Sequence, residues 1–334
     1  MSNPPDLLAT GTLTWETTAL VERLPGDGRV DMEGIEAVLA RAITRVDGGG
    51  GSAGNVATAV ASTGLHVVFA GQVGDDEEGN RCVAALVSAG VESLVRQVPG
   101  RRTKRSVILV EAVSGRVEFH VDVPARSCPP LEASAVPGDL VQNARWLHLD
   151  RASPAAEEFL KRRASNVSSM DIHDIPRRPL ALSRLKRLLG CLGLLQIRED
   201  ALFGLLEHAW TEERSSSGCP HAGSNDTSLG ANLTPRATIE ECLLWLSARI
   251  HRVIVTRGSL GAMAIESGRL PFQIPPAAPV MMIDPTGAGD AFAAALLTGI
   301  LTGHQFESCC HEASFAGAAA CTWLGARRPS ERPR

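Results

Sequence analysis

The sequence predicts an α/β fold, a mostly parallel central sheet with helices on both faces plus a small β lid, and three observations carry that prediction. Its 334 residues are 44% hydrophobic and 21% charged, an ordinary globular balance that needs no disulfide staples. Short β-rich runs alternate with amphipathic stretches, the pattern of strand–helix–strand units with parallel strands. Two segments, Thr17–Val46 and Ser106–Val123, break the alternation. In the second, Val117, Phe119 and Val121 recur with period two beyond the turn Ser114-Gly115. Both segments are expected to form antiparallel strands standing away from the main sheet.

The expected strands are Leu7–Leu13, His66–Ala70, Trp146–Asp150, Val167–Asp171 and Arg252–Thr256. Expected helices include Gly79–Ala89 and Thr238–Ala248; Thr238 and Glu241 have the spacing of a capping box. Thr211–Asn232, rich in Ser, Gly and Asn, reads as a flexible surface loop. No internal repeat is visible, and residues 1–334 are expected to form one domain.

Charge and cysteine usage narrow the function. The net charge is −4, with both signs interleaved and no basic block, which argues against a nucleic-acid partner. The N-terminal Met1-Ser2-Asn3-Pro4-Pro5 lacks a signal pattern, and no apolar run has membrane length. A cytoplasmic protein with no membrane partner is expected. None of the eight cysteines forms a CxxC pair, so a structural zinc is not indicated. Cys309-Cys310-His311 reads as helix packing, because adjacent helical residues point apart. His148, Asp171 and His173 lie near strand ends without helical H-x-x-x-H spacing, and read as satisfied side chains rather than ligands.

The strongest chemical signal is Asp284-Pro285-Thr286-Gly287-Ala288-Gly289-Asp290. It leads into a helix with Phe292, Leu296 and Ile300 at spacings of four. Small residues let a ligand approach the backbone, and a helix start offers unsatisfied N–H groups and a positive dipole end. A carboxylate there cannot bind phosphate, but it can accept the proton of a hydroxyl that attacks phosphorus. An anion hole beside a base suits phosphoryl transfer to an alcohol; the bland alternative is Asp290 as a helix cap. The Walker A pattern is absent.

The same run resembles the C-terminal signature of the ribokinase-like (PfkB) carbohydrate kinases. Gly48-Gly49-Gly50-Gly51-Ser52-Ala53-Gly54-Asn55, followed by Ala70-Gly71-Gln72-Val73-Gly74-Asp75-Asp76-Glu77-Glu78-Gly79, resembles the N-terminal one. The resemblance runs from about Leu7 to Ser330 and implies an ATP-dependent, Mg²⁺-requiring kinase for a small sugar or sugar-like alcohol. It implies Asp290 as catalytic base and the N–H groups of Gly287, Ala288 and Gly289 as the anion hole. Asp284 and the Thr286 carbonyl would lie near the monovalent-cation (K⁺) site that some members have, although an Asp before Pro also simply starts turns.

On the acceptor side the resemblance places Gly50, Gly51 and Asn55 at substrate hydroxyls, with Ser52 where some members carry Lys. Glu16 falls where the family has an Asp gripping the sugar; its competing reading is an exposed loop residue. Asp150, at a strand's carboxyl end, is a second candidate contact. On the nucleotide side, Gln196-Ile197-Arg198-Glu199 resembles the family's N-x-x-E, with Gln196 at phosphate and Glu199 ordering waters around Mg²⁺. Thr256, Gly258 and Gly261 match its T-x-G-x-x-G loop, and Gly289 would face both ligands. Gly74-Asp75-Asp76 reads as structural. Many relatives continue into one more helix after the match to Gly325–Ser330, an element expected to be missing here or to lie in an extension beyond this sequence. The lid strands pair between subunits in this family, so a homodimer is expected. Two alternatives stand: a non-catalytic sugar- or nucleotide-binding regulator on the same fold, and a nucleoside kinase. The latter is disfavoured by the scarcity of stacking residues, with no Tyr, 8 Phe and 5 Trp.

Overall fold

The computed structural model describes residues 3–25, 31–163, 167–172, 182–206, 238–278 and 281–328. The loop expected at Thr211–Asn232 and His173 lie outside them. β1 (Leu7–Thr10) sits inside a nine-stranded sheet, between β4 (Val67–Gly74) and β8 (Trp146–Leu149). β5 (Glu92–Val98) flanks β4; β9 (Ser168–Ile172), β10 (Leu194–Arg198) and β11 (Arg252–Thr256) continue beyond β8. These seven strands all run parallel to one another. β12 (Ala262–Glu266) and β13 (Phe272–Ile274) close one edge antiparallel.

Strand side chains alternate between faces, and here both faces are apolar, as a parallel sheet covered by helices requires. Leu8, Val68, Leu147, Leu195 and Val253 face one cluster. It is completed by Val141 of α4 (Gly138–Asn143), Phe159 and Leu160 of α5 (Pro154–Lys161), Leu185 and Leu189 of α6 (Leu182–Leu189), Leu202 and Leu206 of helical residues 199–206 (α7), and Leu243 and Leu246 of α8 (Ile239–Ser247). Leu7, Ala9, Phe69, Trp146, Leu194 and Ile254 face the other. There they meet Val56 and Val60 of α2 (Ser52–Ala61), Leu86 of α3 (Glu77–Ser88), Phe292 and Leu296 of α9 (Ala288–Leu301), and Cys309, Cys310 and Ala313 of α10 (Phe306–Ala320). Cys309-Cys310 is therefore core packing. The strand order turns back at β1, so the carboxyl ends of β1, β4 and β8 border the crevice where such sheets place ligands.

Two local signals behave as the sequence indicates. Thr238 caps α8 in a complete capping box: its Oγ1 accepts the Glu241 N–H at 3.2 Å, and Glu241 accepts the Thr238 N–H at 2.8 Å. Asp76 in turn caps α3, accepting the Gly79 N–H at 3.0 Å, which makes Gly74-Asp75-Asp76 structural.

Three expectations need correction. The strand foreseen over Leu7–Leu13 ends at Thr10, because Gly11–Leu13 turns against Asp150, whose carboxylate accepts the Thr12 N–H at 2.9 Å. The chain then enters a second sheet as β2 (Thr14–Val21). That sheet has the order β3-β2-β6-β7, with β3 (Thr44–Gly50), β6 (Lys104–Glu111) and β7 (Val117–Asp122). It is not wholly antiparallel, since β2 and β6 run parallel after a long crossover. Thr17–Val46 also contains a helix, α1 (Met32–Leu39), capped by Asp31. Ile35 and Leu39 pack it on Ala19, Val21, Val107 and Leu109. Nor does this sheet stand free, because Ile108 and Val110 on its other face cluster with Leu324.

Candidate active site

Asp290 is the third residue of α9, whose N-cap is Gly287 in the left-handed region at φ 78°. A Cβ at Gly287 would also lie 2.6 Å from the Ala326 carbonyl oxygen, so both conformation and packing require glycine there. The Asp290 carboxylate reaches across to the start of α2, accepting from Ser52 Oγ at 2.6 Å and Asn55 Nδ2 at 2.7 Å. The capping position belongs to Gly287, so the helix-cap alternative for Asp290 is not realised. Asp290 is only 8% exposed, which places its charge where hydrogen bonds weigh most.

The expected trio of anion-binding N–H groups is reduced to two. Ala288 donates to the Pro285 carbonyl at 3.2 Å, closing the turn before the helix. Gly287 and Gly289 N–H have no acceptor among the described residues. Gln196 is also corrected: it is 3% exposed on β10 beneath the helix start rather than open to a nucleotide. Its Nε2 donates to the Gly289 carbonyl at 3.0 Å and to Asp171 Oδ2 at 3.1 Å, so it holds the glycine run from below.

Glu16 lies on β2 opposite β3, which excludes the exposed-loop reading. Its Oε1 accepts from Thr14 Oγ1 and from the Gly51 N–H, each at 3.2 Å, and any side chain at Gly50 would overlap it. Burial pushes the Glu16 carboxyl above the ordinary carboxylate range and repulsion from Asp290 adds to this; the Gly51 N–H, Arg327 and the Thr14 hydroxyl oppose it. Asp150 accepts from the Thr12 N–H and, at 3.1 Å, from Arg151 Nε. It lines a cavity of about 100 Å³ together with Gly11, Lys104, Arg151 and Ser153. Asp290, Asn55 and Glu16 do not line it. Gly11 stands between: a Cβ there would lie 2.5 Å from the Asp150 carboxyl carbon and 2.7 Å from Ala53 Cβ. The structure thus brings Glu16, Gly50, Gly51, Asn55 and Asp290 together and sets Asp150 across a thin wall.

Opposite them, Thr256 ends β11 and Arg257–Gly261 makes a tight turn, with the Arg257 N–H donating to Gly261 at 2.8 Å. Gly258 borders open space. Glu199, at the start of α7, pairs with Arg257 Nε at 3.3 Å. Asp284 is fully buried; its two oxygens accept the N–H groups of Thr286 and Gly325, each at 2.8 Å. It thereby starts the turn and ties it to the C-terminal segment. His148 Nδ1 meets Ser169 Oγ at 3.0 Å, and no group of three potential metal ligands occurs among the described residues.

Four participants escaped the sequence reading. Ser52, noted only for standing where some members carry Lys, holds Asp290 through its hydroxyl. Asp171 anchors Gln196, Arg257 pairs with Glu199, and Arg327 donates from Nε to Asn55 Oδ1 at 2.8 Å. Only Arg257 carried a local signal, lying inside the Thr256–Gly261 motif.

A buried carboxylate thus faces a second helix start, beside N–H groups with no acceptor among the described residues, at the switch end of a doubly covered sheet. The chain belongs to the pfkB family of carbohydrate kinases, whose model matches residues 27–197 and 225–333. It is 27% identical over 324 residues to the ATP-dependent ribose-1-phosphate kinase of Halopiger xanaduensis, covering 96% of this chain and 93% of that protein. It is 27% identical over 290 residues to the bifunctional protein HldE of Bradyrhizobium diazoefficiens, covering 82% of this chain but only 52% of that protein. The fold matches the Arabidopsis thaliana ribokinase complexed with ribose and ATP at a TM-score of 0.69 and 21% identity, over 97% of this chain and 95% of that one.

Proposed function

We propose that the protein transfers the terminal phosphoryl group of ATP to a hydroxyl of a small sugar or sugar-like substrate, with Asp290 as general base. The observation that carries this is the Asp290 carboxylate, held by Ser52 and Asn55 within one helical turn of the unpartnered Gly287 and Gly289 N–H groups. A substrate hydroxyl replaces one of those two hydrogen bonds and gives its proton to Asp290 as its oxygen bonds phosphorus. The bond to the leaving ADP oxygen breaks, and the transferring group's charge is met by the two N–H groups. Glu16, Gly50, Gly51 and Asn55 orient the acceptor. Thr256, Gly258 and Gly261 flank the nucleotide, where open space beside Gly258 leaves room for it.

Mg²⁺ fits the half-exposed Glu199 carboxylate, held through water as a cation that keeps most of its hydration shell; when bound it neutralises phosphate charge. Arg257 must release Glu199 for this. Asp284 has only N–H donors against it, so a monovalent cation such as K⁺ at the Asp284–Thr286 turn fits its charge. A cytoplasmic location accords with the seven free cysteines described, and no helix among the described residues is long and apolar enough to cross a membrane. Exposed Phe119 and Val121 on edge strand β7 favour pairing of two copies there.

The Arg257–Glu199 pair and the burial of Gln196 favour the second reading, a regulator that binds without turnover. ADP release with ATP and Mg²⁺, over a panel of sugars, sugar phosphates and nucleosides, separates the two. Turnover on at least one acceptor is expected, and ligand binding with none turned over would establish the regulator instead.

A further inference from the structure

We propose that Arg327 is a positioning residue of this site, orienting the Asn55 amide toward Asp290 and offsetting the combined negative charge of Glu16 and Asp290. The proposal rests on the reading of Asp290 as base. An asparagine amide has one accepting and one donating end. With Arg327 Nε 2.8 Å from Asn55 Oδ1, the amide nitrogen must face Asp290 Oδ2, which it reaches at 2.7 Å. Flipping the amide would set donor against donor at Arg327 and acceptor against acceptor at Asp290. The guanidinium therefore settles which way Asn55 presents itself to the base.

The surroundings are shaped for this group. A Cβ at Gly49 would lie 3.0 Å from Arg327 Nη1, and one at Gly54 would lie 3.0 Å from Nη2. Strand β3 and helix α2 thus carry glycine where the guanidinium passes. No carboxylate among the described residues forms an ion pair with it within 4.0 Å, and Nη2 is buried without a hydrogen-bond partner. A charge buried in this way is costly unless it serves another group. The charged and titratable groups acting on it are Glu16 from β2, Asp290 from α9 and Cys82 from α3. The Cys82 thiol is pushed up to about 12 by burial, so it is neutral under ordinary conditions and the charges acting on Arg327 are those of the two carboxylates.

Replacing Arg327 removes a compensating charge from those carboxylates, a loss that counts only when they are ionised. Melting temperature read against pH therefore tests the proposal without any acceptor. The deficit of Arg327→Gln relative to the parent is expected to widen by several degrees between pH 4.5 and pH 8, while Arg327→Lys, which keeps the charge, shows a deficit nearly constant with pH. A deficit for Arg327→Gln that does not change with pH marks a packing role and overturns the proposal. If the Gln variant does not fold at pH 8, recovery of a cooperative melt at pH 4.5 supports the proposal, and failure to fold at pH 4.5 as well overturns it. On an acceptor identified by the panel, Arg327→Gln should lower kcat about 10- to 100-fold and move the acid limb of the rate–pH profile to higher pH. Arg327→Lys should restore part of both. An inactive Asp290→Asn alongside an Arg327→Gln of normal rate and limb overturns this proposal alone, whereas an active Asp290→Asn overturns the base itself.

Discussion

Around Asp290 the polar groups are buried and joined by side chains from opposite ends of the chain, whereas around Glu199 and Thr256 they are half-exposed or held by backbone. Asn55 bridges to Asp290, 235 positions away, and to Arg327, 272 positions away. The nucleotide side closes locally, with Arg257 bonded to Gly261 four residues on and to Glu199 through a pair in contact with solvent. The difference teaches where sensitivity lies. In the acceptor network a lost partner leaves a buried group unsatisfied, which costs about 1–3 kcal/mol, while an exposed ion pair is worth about 0–1 kcal/mol.

The largest expected effect falls on Asp290. Asp290→Asn should lower turnover about 10²- to 10⁴-fold while calorimetry shows nucleotide affinity within about twofold of the parent. Next come the buried tethers. Gln196→Ala takes the donor from the Gly289 carbonyl and removes one hydrogen bond from Asp171, and Asp284→Asn leaves the Gly325 N–H facing an amide. Each should lose about 1–3 kcal/mol in denaturant unfolding. Gln196→Ala should in addition raise the KM for ATP, because Gly289 is no longer held.

A smaller effect, with a defined sign, comes from Glu16. Its carboxyl is raised in the folded protein, so between the ordinary glutamate value and that raised value the native state binds more protons than the unfolded chain, and stability falls as pH rises through the window. Glu16→Gln removes that loss. It should melt about 2 °C above the parent at pH 8, with the advantage disappearing near pH 4. Smallest of all, Arg257→Ala should change stability by less than about 1 kcal/mol while altering the Mg²⁺ dependence of ADP release. A loss there as large as that of Gln196→Ala would break the contrast between the two sides.

Much of the architecture was legible because its signals are short-range. The alternation of Leu7-Leu8, Val67-Val68 and Leu194-Leu195 between two helix layers follows from the two-residue period of a strand, and the Thr238–Glu241 box from the spacing of one helical turn. Helix α1 escaped notice because two buried anchors, Ile35 and Leu39, make too brief a pattern to stand out. Parallel pairing of β2 with β6 was invisible, since strand direction depends on the crossover between them.

For the site, the sequence by itself determined Asp290, its glycine run and the opposing Gly48–Asn55 loop, because a helix start needs small residues and a first-turn acid within a few positions of one another. Only the tertiary structure decided that Ala288 closes a turn, that Gln196 works from beneath, and that Ser52 reaches Asp290 while Arg327 reaches Asn55. Those are contacts across the crevice between residues far apart in the chain, and hydrogen-bond direction exists only once the elements that carry them have packed.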